Sequence, residues 1–123
     1  HRCSRSDAVD DALKPEASIA DFKRLDLRVG KVVAVEEFPE AKKPAWLLSV
    51  DLGPLGVKRS SAQVKNYTRE ELEGRSVVCL CNLPPRQVGP HLSEVLVLGG
   101  VETDGLVRLL QPAPDCPPGT PVA

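Results

Sequence analysis

Between Leu27 and Leu110 the chain is cut into six apolar or β-branched segments of five to nine residues, most of them separated by glycine- and proline-bearing turns. Segments that short suit strands rather than helices of ordinary length. The clearest is Ala45-Trp-Leu-Leu-Ser-Val-Asp-Leu52, where Trp46, Leu48, Val50 and Leu52 alternate with outward Ser49 and Asp51. A period of two places one set of side chains in a core and the other in water.

Leu27 to Val35 is a first strand with Leu27, Val29, Val33 and Val35 on one face, and Gly30 at its middle predicts a bulge or tight bend. Gly53 to Gly56 is a turn, and Val57 to Ala62 a polar third strand with one wet face. Ser76 to Leu83, Ser93 to Leu98 and Leu106 to Leu110 supply strands four, five and six, the last led in by Asp104-Gly105. Two capping sequences start short helices: Ser18 with Asp21, followed by Phe22 and Leu25, and Thr68 with Glu71, followed by Leu72 and the stop residue Gly74. After Gln111 come five of the twelve prolines, so the tail lies extended along the body instead of joining a sheet centre.

Short strands with one helix between the third and fourth describe a small all-β, closed Greek-key barrel, for which the OB-fold is the common solution. At 123 residues the chain holds one core. Residues 18–123 are read as the OB domain, with short helices and an accessory C-terminal half. Residues 1–17 are set aside as a disordered or artificial extension. No apolar run approaches the roughly 20 residues of a membrane span, and the start lacks a signal-peptide core, so a cytoplasmic protein with no membrane insertion is expected.

Charge argues for a local patch and against a polyelectrolyte surface. The net charge is −1, yet residues 22–75 carry eleven Lys/Arg against eight Asp/Glu, while the flanks are acidic. Lys42, Lys43, Lys58, Arg59 and Lys65 could make that patch, or simply a solvated face. Among four cysteines, Cys79 and Cys81 sit two apart, a spacing that suits neither a disulfide nor a zinc knuckle. They read as small apolar fillers of a strand, with no metal. His91 stands without a second ligand and is given no role.

Five ordered motifs resemble the tRNA-binding OB-domain family: Asp26-Leu-Arg-Val-Gly30, Lys42-Lys-Pro-Ala-Trp-Leu-Leu48, Ser60-Ser-Ala-Gln63, Tyr67 to Gly74, and Asn82-Leu-Pro-Pro-Arg86 with Ser93-Glu94. The nearest branch is the small CsaA-type proteins, described as export-related chaperones. The resemblance implies an OB barrel, a homodimer, no cofactor and no catalysis, so the chain is not expected to be an enzyme. It also implies tRNA as a partner, gripped by Asn82, Arg86 and Ser93 with Lys42 as a further contact. Where related modules read Ser-Glu-Gly-Met, this chain reads Ser93-Glu94-Val95-Leu96.

The residues between Asn82 and Ser93 form a proline-stiffened loop with one arginine, a rigid way to present a guanidinium fork to phosphate or carboxylate. The alternative is a surface arginine paired with Glu94. Ser61 adds a hydroxyl beside Lys58 and Arg59. Only four aromatic residues exist, too few for a binder that reads single strands by stacking; shape and phosphate contacts to folded RNA fit better. Two functions stay open: an RNA-binding module using the basic loop face, or a dimeric chaperone that holds unfolded, export-destined polypeptides in a groove and works with export machinery.

Overall fold

The computed structural model describes residues 12–39 and 43–123; most of the N-terminal extension, with Cys3, and Lys42 fall outside them. Five antiparallel strands form a nearly closed barrel: β1 (Leu27–Glu37), β2 (Trp46–Asp51), β3 (Val57–Ala62), β4 (Ser76–Leu80) and β7 (Leu96–Val97). Their order is β3-β2-β1-β4-β7. Between β4 and β7, β5 (Arg86–Val88) and β6 (His91–Ser93) make a separate hairpin, and after β7 a second one pairs β8 (Gly99–Val101) with β9 (Val107–Leu109). Helix α1 (Ile19–Lys23) precedes β1 and α2 (Arg69–Leu72) joins β3 to β4. This is the OB arrangement, with the second hairpin and the tail as the accessory C-terminal half.

The barrel interior is filled by the alternating residues of β2, with Val32 and Val35 of β1 and Val77 and Cys79 of β4. Leu72 plugs the end of the barrel from α2, whose capping box is complete: Thr68 Oγ1 accepts from Glu71 N, and Glu71 Oε1 accepts from Thr68 N. The Ser18 and Asp21 box is complete as well, although α1 buries none of its own residues.

The inward face of β1 differs from the expected one at Val33. A register shift between Val32 and Ala34 inserts an extra residue, so Val32 is buried and Val33 is 51% exposed. The bulge therefore lies here and not at Gly30, which serves close packing: a Cβ there would stand 2.4 Å from Val50 Cγ1. Strand four ends at Leu80, short of Leu83. The segment Ser93–Leu98 is not one strand, because Glu94 and Val95 separate β6 from β7.

The proline-rich tail runs along the first residues of β1, on the side away from β4, where β2 pairs only from Lys31 onward. Gly119 N donates to Val29 O at 2.7 Å, Val29 N to Thr120 O at 2.9 Å and Val122 N to Leu27 O at 2.8 Å, while Pro121 bridges Arg28. Proline is tolerated because the donors come from its neighbours. Arg28 secures the tail further, its Nη1 donating to Gly119 O while its Nε pairs with Asp26 at 2.6 Å. The stretch of β1 that β2 leaves unpaired is thereby covered.

Candidate functional site

Gly89 and Pro90 close the β5–β6 hairpin: Gly89 takes the positive φ (56°) that a two-residue turn requires, and Pro90 fixes the next step. The segment read as a loop is thus an ordered ribbon with Pro84-Pro85 at its entrance. It is anchored on two sides. Val88 packs on a small cluster of Phe38, Ala45 and Leu47 outside the barrel, and His91 meets the Phe38 ring edge-on at 5.0 Å. Phe38 and Ala45 flank the β1–β2 loop, so the two loops that border an OB ligand face are packed together.

The second anchor is a clasp of side chains to the edge of β3. Ser93 Oγ accepts from Ser61 N at 3.1 Å, Glu94 Oε1 accepts from Arg59 N at 3.1 Å, and Glu94 N donates to Arg59 O at 2.8 Å. These bonds satisfy the outer edge of β3 where no full strand pairs with it. Glu94 also lies 4.0 Å from Lys58.

Arg86 stands opposite Ser93 in the hairpin, exposed, and no hydrogen bond or ion pair engages its side chain among the described residues. The pairing with Glu94 considered from sequence is absent, because Glu94 is committed to β3. Asn82 is engaged on both sides of its amide: Oδ1 accepts from Asp26 N at 2.9 Å and Nδ2 donates to Arg24 O at 2.8 Å. It ties the base of the hairpin to the α1–β1 junction. Arg86, Ser93 and Ser61 share one edge of the barrel, and Asn82 sits at the hairpin's base.

Several of the other cations are engaged. Arg59 Nη2 meets Glu36 Oε1 at 2.7 Å and Lys65 Nζ meets Glu37 Oε1 at 2.8 Å, with Lys65 also 3.6 Å above the Trp46 ring. Arg69 donates to Val35 O, and Arg75 Nη1 to Gln111 Oε1. Lys14, Lys23, Arg24, Lys31 and Lys43, like Arg86, carry no such side-chain partner among the described residues. Sequence reasoning missed the Arg59 and Lys65 pairs, since the carboxylates lie more than twenty residues away and only strand register brings them across.

A cavity of about 290 Å³ opens between the hairpin base and the barrel, lined by Leu52, Leu55, Leu83 and Val95, with Asp26, Lys58 and Glu94 polar at its wall. Cys81 also faces it. Burial pushes the Cys79 thiol up to about 12, and burial followed by the Asp26 charge raises Cys81, so both stay protonated near neutrality. No group of three or more metal-ligating side chains occurs among the described residues, and no described helix is long and apolar enough to cross a membrane.

The family described as "Putative tRNA binding domain" matches residues 27–121. A methionine–tRNA ligase from Archaeoglobus fulgidus is 39% identical over 109 residues, which are 89% of this chain and 16% of the ligase. Methionine–tRNA ligase 1 from Sorangium cellulosum is 43% identical over 108 residues, 87% of this chain and 15% of the ligase. The chain thus spans about one sixth of the length of these curated relatives, 15–16% of each. Among solved structures, the CsaA chaperone of Bacillus anthracis is 49% identical with a TM-score of 0.84, covering 89% of this chain and 100% of that one. The CsaA chaperone protein of Picrophilus torridus is 41% identical with a TM-score of 0.83, covering 88% and 100%. A MetRS-related protein from Pyrococcus horikoshii, 24% identical at a TM-score of 0.80 over 89% of this chain and 100% of that one, shares the fold.

Proposed function

The chain belongs to the tRNA-binding domain family, in its CsaA-type branch, and from that membership we propose that it is a non-catalytic module that grips folded tRNA through the hairpin edge. Arg86 makes the direct phosphate contact. Ser61 lies on the same edge, while Asn82 and Ser93 act chiefly by holding the hairpin in place; Lys42, outside the described residues, is kept as a further contact on the family resemblance alone. The observation that carries the reading is an exposed guanidinium without a carboxylate partner among the described residues, on a ribbon anchored both to Phe38 and Ala45 and to β3. The ribbon's backbone is held in advance, so only the arginine side chain's own freedom is lost on meeting a phosphate. Such a module would work in the cytoplasm, with tRNA as its partner.

The test is a gel shift with bulk tRNA across salt. Association through phosphates weakens as salt rises, with each neutralised phosphate adding roughly 0.7–0.9 to the slope of log K against log salt. Absence of salt-sensitive binding below about 100 μM, the weak end of non-specific association, overturns the reading.

A second reading is a homodimeric chaperone that holds unfolded, export-destined polypeptide and passes it to export machinery. It is favoured by apolar surface in one region: Ile19, Phe22 and Leu25 are exposed at α1, and the Leu52-Leu55-Leu83-Val95 cavity lies beside Asp26, to which Asn82 links α1. Peptide held there would respond little to salt, because burial drives it.

A further inference from the structure

On the face of the barrel that the hairpin borders, one ion pair crosses a whole strand. Arg59 of β3 is opposite Ser49 of β2, Ser49 is opposite Ala34 of β1, and Glu36 lies two residues beyond Ala34, opposite Leu47. Ser49 and Ala34 are small, so the guanidinium can reach across them to Glu36 Oε1, 2.7 Å from its Nη2. The main chain of Arg59 is meanwhile fixed from its other side by both bonds to Glu94. Its side chain is therefore the movable part, and Glu36 decides where it rests.

We propose that Glu36 is a built-in competitor for phosphate: it occupies the Arg59 guanidinium in the free protein and lowers the affinity of this face for RNA. The inference rests on the RNA reading above. Both side chains are substantially exposed, 40% for Arg59 and 59% for Glu36, so their bond is too weak to exclude an incoming anion. Only one guanidinium nitrogen is used, leaving donors for a phosphodiester oxygen. When phosphate takes them, the Glu36 carboxylate is left beside a second negative charge, which lowers affinity. Among the described residues, neighbouring charges are engaged with other groups: Lys58 faces Glu94, and Glu37 holds Lys65 on the Trp46 ring. Glu37 is thus a neighbouring carboxylate whose cation is a different one.

The experiment measures bulk tRNA binding by the full chain, at about 50 and 200 mM salt, the range over which phosphate contacts change affinity most visibly. Glu36→Gln is expected to tighten binding about two- to fivefold at the lower salt, the factor that corresponds to an exposed charge pair. The salt slope should change by much less than the roughly 0.7–0.9 of a whole contact, because wild-type Arg59 also reaches the phosphate once Glu36 is displaced. In an Arg59→Ala background the same substitution should do almost nothing, because the cation it releases is gone. Glu37→Gln should give a smaller gain that Arg59→Ala does not remove. Unchanged or weaker binding by Glu36→Gln, with wild-type protein binding normally, overturns the proposal alone. A gain that persists in the Arg59→Ala background also overturns it, since the effect would then be general charge removal. Wild-type protein that shows no salt-sensitive binding overturns the RNA reading, and this inference with it.

Discussion

Gly53 and Gly119 meet backbone to backbone where the tail crosses the turn after β2. A Cβ on Gly53 would lie 2.5 Å from Pro118 O, and one on Gly119 would lie 2.7 Å from Leu52 O. Both have positive φ, 64° and 89°, a region that other residues enter only at a cost. The contact seats the tail so that residues 119–122 can cover the edge of β1.

Gly119→Ala should therefore destabilise the protein by about 1–3 kcal/mol or more, through backbone strain and the clash together. Urea unfolding measures it. A midpoint equal to wild type would show that the tail does not depend on this approach.

Asn82→Ala should lower stability by about 1–3 kcal/mol, since Asp26 N and Arg24 O each lose a partner. If Asn82 acts by holding the hairpin, Asn82→Asp retains the acceptor for Asp26 N and recovers part of the loss. Thermal unfolding of the two variants side by side decides it; an unchanged midpoint for Asn82→Ala would leave direct contact as its role.

The barrel was legible because its signals are local. The alternation of Trp46, Leu48 and Val50, the Thr68 and Glu71 box and the prolines after Gln111 each fix a conformation within a few residues. What was not legible depends on distance in sequence. Pro84-Pro85 and Gly89-Pro90 mark a loop by composition, yet the stretch is an ordered hairpin because Phe38 and Ser61, far away, give it surfaces to rest on. The Val33 bulge shifts a period of two by one residue, which composition does not announce. Arg86 could be singled out from its neighbours, but that Glu94 would be unavailable to it follows only from the β3 edge.

The Cys79 thiol links stability to alkali. Its folded value near 12 stands above the ordinary 9.0, because burial disfavours the thiolate. The unfolded chain therefore loses this proton first as pH rises, and the stability held below about pH 9 falls between 9 and 12. Cys79→Val fills similar space without a proton to lose, so the wild type should steadily lose stability relative to the variant over that range. Urea midpoints at pH 8, 9 and 10 test this, about where the unfolded thiol titrates; parallel pH dependences would contradict it.

Arg86→Ala should weaken tRNA binding by about 1–3 kcal/mol, the scale of a charge-assisted hydrogen bond, and flatten the salt slope by roughly 0.7–0.9. Arg86→Lys keeps the charge and should retain more of the affinity if phosphate is the ligand, whereas a bidentate carboxylate would lose nearly as much as with alanine. Folding should be untouched, as the side chain has no partner among the described residues. Equal losses for the two variants would move the ligand away from phosphate.

Helix α1 supplies the last expectation. It presents Ile19 and Phe22, with Leu25 just beyond, at 69%, 37% and 43% exposure, and contributes no buried residue to its own barrel. A capped helix of five residues is too short to hold itself together in water, so an apolar stripe on it points to a covering surface. In the homodimer proposed above that surface is a second copy, and a two-fold arrangement would let each α1 cover the other. Phe22→Asp should then shift the protein to monomer in sedimentation at micromolar concentration. The barrel itself should lose little stability, since no core contact is removed, and this separates dissociation from unfolding. Wild-type protein sedimenting as a monomer would refute the dimer. A variant that stays dimeric would place the interface elsewhere, and α1 would then be open to a polypeptide client instead.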